Sequence, residues 1–262
     1  MITRRAFLAA TAAGSLAVAV GVPTARAAPV DSDPATVAVL NRRRTPTQWG
    51  MALPGIATSF VPSGQQIALT FDACDGACDD ALLATLQRNA VPAVLMLNSK
   101  WIDRNPDRAR LLAANPLFEI GNHGTRHVPL SVTGRSAYGI AGTRSVDEVI
   151  DEVWTNHQRL TALTGKPPTW FRPGTAHYDD VAVQIVQELG EQPLGFTVNG
   201  DAGATAPAAA VRSNLASAAP GSIVLAHLNH PESGTHTGIA DAITQLRAAG
   251  WDFVSLGGRT VR

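Results

Sequence analysis

Two histidines four residues apart, in the stretch Glu119-Ile-Gly-Asn-His123-Gly-Thr-Arg-His127, follow an apolar run that reads as a strand. If the chain turns into a helix there, that spacing puts both imidazoles on one face. Two neutral imidazoles presented together form a first shell for a divalent transition metal, zinc above all. A bare His-x-x-x-His is as often a pair of surface residues, so its weight comes from reactive side chains elsewhere. Asp72 and Asp75 follow a strand-like run at Ile67–Phe71, and Arg172 follows Thr169–Phe171. Asp201 follows Leu194–Val198, and His227 follows Ser222–Ala226. Carboxylates, a guanidinium and a third imidazole gathered beside a metal can move protons and polarise a bond.

The elements that must position these residues show as a regular alternation. Further strand-like runs fall at Ala93–Leu97, Leu117–Ile120 and Phe253–Leu256, and helical patterns cover roughly 78–90, 103–114, 145–164, 178–190, 207–218 and 237–249. The third helix is the clearest. Ser145-Val-Asp-Glu148 is a capping box at its start, and Gly165 with Pro167 and Pro168 stops it. Strands alternating with helices predict an α/β fold with a parallel sheet, and about seven such strands fit a closed or nearly closed barrel in a single domain over 64–262. In such a barrel the chemistry lies at the C-terminal ends of the strands, where these candidate residues fall.

The first residues predict export. Arg4-Arg5 followed by Ala-Phe-Leu resembles a twin-arginine signal, the apolar Ala-rich run continues to about Val22, and Ala25-Arg26-Ala27 offers a small-x-small cleavage site. Residues 1–27 therefore read as a removable signal peptide, and the mature protein as secreted or wall-associated with no membrane span. Residues 28–63 hold several prolines and the basic cluster Arg42-Arg43-Arg44, and read as an extended N-terminal arm. With 21 basic and 21 acidic residues the formal net charge is zero, which argues against nucleic acid or an anionic membrane surface as partner. Trp101, Trp170 and Trp251 read as packing before they read as a sugar groove, and His157 as a surface residue of the capped helix. Only two cysteines occur, Cys74 and Cys78, both in the loop after the first strand. In an exported chain that favours a local disulfide, and a zinc site built on these two thiolates is disfavoured because no other cysteine completes it. No Gly-x-Ser-x-Gly elbow exists, which counts against a serine esterase.

Thr70-Phe71-Asp72, His123-Gly-Thr-Arg-His127, Phe171-Arg172-Pro173, Asn199-Gly-Asp201 and Leu225-Ala-His227 together resemble the motifs of the polysaccharide deacetylase family, the NodB-homology domain of carbohydrate esterase family four, over about residues 64–258. The resemblance implies a deformed (β/α) barrel, a divalent metal of the Zn2+ type, and removal of N-acetyl groups from an N-acetylated glycan, either peptidoglycan or a chitin-type GlcNAc polymer. By the family's pattern Asp72 is the base, Arg172 orients it, His227 is the acid, Asp201 holds His227 protonated, and Leu225 shapes the acetyl-methyl pocket. His123 and His127 would bind the metal. The family's pattern carries a second aspartate directly after the first as a metal ligand, and here that place is Ala73. Asp75 could reach the metal from the loop, Asp72 could itself be the ligand, or two histidines could bind with an extra water. The fixed place of Asp72 at the strand tip favours Asp72. Two other readings stay open, a glycan-binding protein of little or no activity on the same barrel and a metal-dependent amidase for a small acyl amide. Nothing in the chain indicates a protein partner.

Overall fold

The strand-like runs fold into one parallel sheet, in a computed structural model that describes residues 33–262; the signal-peptide reading lies outside the described residues. The described residues begin with α1 (Pro34–Asn41) and β1 (Trp49–Gly50), followed by β2 (Gln66–Ala73), α2 (Asp80–Arg88), β3 (Ala93–Leu97), α3 (Ser99–Arg104), α4 (Pro106–Ala114) and β4 (Phe118–Asn122). After the long α5 (Val146–Thr164) come β5 (Trp170–Phe171), β6 (Tyr178–Asp179), α6 (Asp180–Glu188), β7 (Gln192–Pro193) and β8 (Val198–Asn199). The last elements are α7 (Ala208–Ala216), β9 (Ile223–His227), α8 (Thr235–Ala248) and β10 (Asp252–Phe253). The strand order is β7-β5-β4-β3-β2-β9-β8, with β10 also on β2, and the sheet curls into a half-barrel.

The central strand explains the pattern. Every residue of β2 except Gln66 is buried, as expected of a parallel strand covered on both faces. Its side chains alternate between two cores. Ile67, Leu69, Phe71 and Ala73 join the large cluster beneath the helices. Ala68 joins the barrel interior with Val94, Met96, Trp170 and Ile223. Asp72 follows on that inner side. Trp101 and Trp170 are fully buried, so both are packing residues.

The run expected as a single strand at Leu194–Val198 is instead the connection between two short strands, β7 and β8, at opposite edges of the sheet. Leu194 N–H donates to Phe171 O on the β5 side, whereas Thr197 N–H donates to Ile223 O beside β9. The segment thus passes from one edge of the half-barrel to the other, with Leu194 buried and Phe196 and Val198 half-buried, without a continuous ladder. The arm also differs from expectation, because its described part contains a helix. Asp33 caps α1 and Pro34 sits in its first turn. Val37 and Ala38 bury in the cluster formed with α5 and α6. Asp180 accepts bonds from Thr47 N–H at 2.9 Å and the Thr47 hydroxyl at 2.7 Å. At eight residues α1 is too short to display helical periodicity. The long helix starts and stops as expected, with the Ser145 hydroxyl accepting from Glu148 N–H at 3.1 Å and Gly165 closing it at φ +74°. Among the described residues no helix is long and apolar enough to cross a membrane.

Candidate active site

Strand register assembles the site. In the β2–β9 ladder Asp72 stands opposite His227 and Thr70 opposite Leu225. In the β3–β4 and β4–β5 ladders Leu97 pairs with Asn122 and Asn122 with Phe171. His123 and Arg172 are each the next residue past their strands, so they meet at the same rim. Five of the predicted residues therefore converge there, Asp72, His123, His127, Arg172 and His227, with Asp201 behind His227.

Arg172 is fully buried, and its guanidinium has no freedom left. It donates to Asp72 Oδ1 at 2.8 Å, Thr70 Oγ1 at 2.9 Å, Gly195 O at 3.0 Å and Leu194 O at 3.2 Å. Two of those acceptors belong to the seam segment between β7 and β8, so the broken strand holds this cation. Burial pushes the Asp72 carboxyl up, but His123, Arg172 and His227 outweigh it and leave it below the usual carboxylate range. Arg172 is the permanent cation in that balance, at 2.8 Å from the carboxylate.

A second pair sits one strand away. His227 Nδ1–H donates to Asp201 Oδ1 at 2.9 Å, and His227 N–H and the Thr235 hydroxyl donate to Oδ2 at 2.7 and 2.9 Å. Burial alone would depress the His227 imidazole; the Asp201 hydrogen bond and the charges of Asp201 and Asp72 outweigh it and raise the pKa. Asp201 is itself held below its ordinary value despite burial, chiefly by His227 and Thr235.

The His123–His127 segment is not helical. It is a loop in which Gly124 has φ +77° and His127 has φ +66°, a left-handed conformation that non-glycine residues rarely adopt. The organiser is Glu152 of α5, which the sequence reading did not single out. Its Oε1 accepts from Thr125, Arg126 and His127 N–H at 3.1, 2.9 and 3.0 Å, and its Oε2 from Arg126 Nε at 3.1 Å. Gly124 must lack a side chain, since a Cβ would lie 2.5 Å from Glu152 Oε1. Gly174, just past the arginine motif, presses on His127 so closely that a Cβ would stand 2.4 Å from its ring. The loop brings together the two histidines that helical spacing singles out, but by a different geometry.

The two imidazoles are prepared alike. His123 Nδ1–H donates to Arg172 O at 2.8 Å, which leaves Nε2 as an open lone pair. His127 Nε2 is buried with no hydrogen-bond partner. Burial lowers both pKa values, that of His127 to about 3, so both rings are neutral. Among the described residues one group of three His, Cys, Asp or Glu places its ligand atoms within 4.8 Å of one another: Cys74, His123 and His127. Neutral imidazoles with an orphaned ring nitrogen fit a divalent transition metal.

The loop after β2 resolves two further expectations. Cys74 and Cys78 are both free thiols, so the local disulfide does not form. Asp75 pairs with Arg104 at 3.1 Å and accepts from Gly76 N–H, and it is not in the Cys74–His123–His127 group. Asp72 Oδ2 lies 3.7 Å from His123 Nε2. His157 is buried, donating to Glu191 at 2.8 Å and stacked on Trp154.

A cavity of about 600 Å³ opens on this rim, lined by Asp72, His227, Leu225, Phe196, Thr175 and Tyr138 among others. Tyr138 is 75% exposed. His177 does not enter the reactive group; it packs between Trp49 and Tyr138. His230 faces Glu232 at the surface.

The family model described as polysaccharide deacetylase matches residues 61–194, half of the chain. A solved peptidoglycan N-acetylglucosamine deacetylase is 23% identical with a TM-score of 0.65, covering 77% of this chain and 91% of its own. PdaA of Bacillus subtilis, a family 4 carbohydrate esterase, is 21% identical with a TM-score of 0.62, covering 77% and 83%. A CE4 family pseudoenzyme from Bacillus anthracis is 23% identical with a TM-score of 0.64, covering 77% and 67%. At these identities the structures establish a common fold and nothing finer. No curated protein matches the sequence.

Proposed function

This chain belongs to the polysaccharide deacetylase family, and from that premise we propose that it hydrolyses N-acetyl groups on an exported N-acetylated glycan, with peptidoglycan ahead of chitin-type polymers. One observation carries the reading: an arginine-held carboxylate and a carboxylate-held histidine face each other across the β2–β9 ladder, at a cavity beside two neutral imidazoles. Amide hydrolysis needs a proton taken from water and a proton given to the departing amine. Asp72, ionised and locked by Arg172, takes the first. His227, kept protonated by Asp201, gives the second from Nε2. Leu225 in the cavity wall offers the acetyl methyl an apolar contact. A divalent cation of the zinc type on His123, His127 and a third ligand would polarise the acetyl carbonyl and acidify water. The substrate preference draws on the peptidoglycan deacetylase among the related folds. An exposed Tyr138 at the cavity mouth gives a sugar ring a face to stack on. Export through the twin-arginine signal would bring the enzyme to the wall.

The absence of a carboxylate at Ala73 keeps a glycan-binding role as the second reading. Replacing the acid separates the two. His227→Ala should lose acetate release by about 10²–10⁴-fold while retaining glycan binding. Wild-type protein that binds glycan and releases no acetate would favour the binder. The acid also has a pH signature. Because the folded pKa of His227 is raised above 6.5 by Asp201, its protonated form, and with it activity, is held to higher pH than an ordinary imidazole would allow and falls as pH rises through the shifted value. Asp201→Asn removes the partner that raises it, so the alkaline limb of kcat/KM should move to lower pH. A limb that stays in place would remove Asp201 from this role.

A further inference from the structure

The missing aspartate has a replacement one residue further along the chain. We propose that Cys74 is the third metal ligand, giving a cysteine-and-two-histidine site in which the thiolate takes over the carboxylate's place and leaves Asp72 as the base. This rests on the hydrolase reading of the same site. Alternation along β2 turns Ala73 into the helix-side cluster, where it is fully buried. Two residues on from Asp72, the chain returns to the inner side, and Cys74 Sγ reaches His123 Nε2 at 3.5 Å. Tetrahedral zinc, with sulfur at about 2.3 Å and nitrogen at about 2.0 Å, holds such a pair of ligands about 3.5 Å apart. The observed separation is already that of two vertices of the site.

Other features point the same way. His123 Nδ1–H is committed to Arg172 O, so Nε2 accepts, and Sγ–H is the donor facing it. A metal ion would enter along that contact, displacing the thiol proton to solvent and bonding to both sulfur and nitrogen. His127 Nε2, buried and unpartnered, completes the group. Asp72 lies outside it, with Oδ1 already committed to Arg172. Asp75 is taken by Arg104. Three protein ligands leave a fourth position for water or substrate, as a catalytic metal site requires. A thiolate ligand also favours zinc over magnesium, calcium or manganese.

The test uses the mature protein carrying Cys78→Ala, which leaves one thiol. Cobalt(II) is loaded in place of zinc, its stoichiometry is measured, and the near-ultraviolet spectrum is recorded. The expected result is one bound cobalt with a sulfur-to-metal charge-transfer band. Cys74→Ser should lose that band, and Cys74→Asp should lose it while still binding metal. Zinc should also slow alkylation of Cys74 by iodoacetamide at least tenfold, read by peptide mass spectrometry. Bound cobalt without the band, or alkylation indifferent to zinc, overturns the proposal even if acetate release is intact. A band without acetate release leaves the ligand set standing and removes the hydrolase reading instead. Folded protein that binds no cobalt overturns both.

Discussion

Asp72→Asn should cut acetate release by about 10²–10⁴-fold, the span expected for loss of a positioned general base. The side chain is nearly isosteric, and Asn retains an oxygen to accept from Arg172, so the 2.8 Å contact can survive in neutral form. Arg172 also keeps its bonds to Thr70, Leu194 and Gly195. The fold should therefore persist, which separates this variant from one that merely unfolds. If Cys74 supplies the third ligand, metal stoichiometry should be unchanged as well. Loss of metal together with activity would put Asp72 among the ligands, the alternative that Ala73 raises. Turnover within a few-fold of wild type would remove Asp72 as the base. Steady-state acetate release beside metal analysis distinguishes these results.

Arg172→Ala should have the largest effect on stability, about 3–5 kcal/mol, because it removes one partner of a fully buried ion pair. Asp72 would remain as a buried carboxylate without its cation, and the carbonyls of Leu194 and Gly195 would lose their donors at once. The pH dependence has a defined sign. In the wild type the folded carboxyl of Asp72 lies below its ordinary 3.8, so its contribution to stability is present above that value and is lost as pH falls through the shifted one. In the variant, burial prevails and raises the carboxyl, so protonation relieves the charge. The deficit should shrink as the buffer becomes more acid, the reverse of the wild-type trend. Urea unfolding of both proteins at neutral and mildly acid pH reads this directly. An equal deficit at both would mean that Asp72 is not the group left uncompensated.

The rim was legible in the sequence because parallel-sheet geometry collects the C-terminal ends of strands, and one residue past a strand end is a position that sequence can name. Asp72, His123, Arg172 and His227 were found that way. The capped helix α5 was legible for a similarly local reason, Ser145 at its start and Gly165 at its end. Contacts made across the fold were not. Glu152 organises the His123–His127 loop from a helix some thirty residues on, and nothing marks it apart from other glutamates of α5. Cys74 meets His123 only through the register of β2, β3 and β4, so cysteine spacing pointed to Cys78 instead. The Leu194–Val198 run differs from the expected strand because an apolar run looks the same whether it is paired along its length or spans a seam. His157 looked like a surface residue because its partner Glu191 lies beyond the end of the next helix.

The most direct test of the account is acetate release by the mature protein, first zinc-loaded and then stripped by a chelator, on peptidoglycan fragments and N-acetylglucosamine oligomers. The site predicts release that the chelator abolishes and added zinc restores, with His227→Ala inactive under both conditions. Folded, zinc-bound protein that releases no acetate from either substrate, or release indifferent to the chelator, would contradict it.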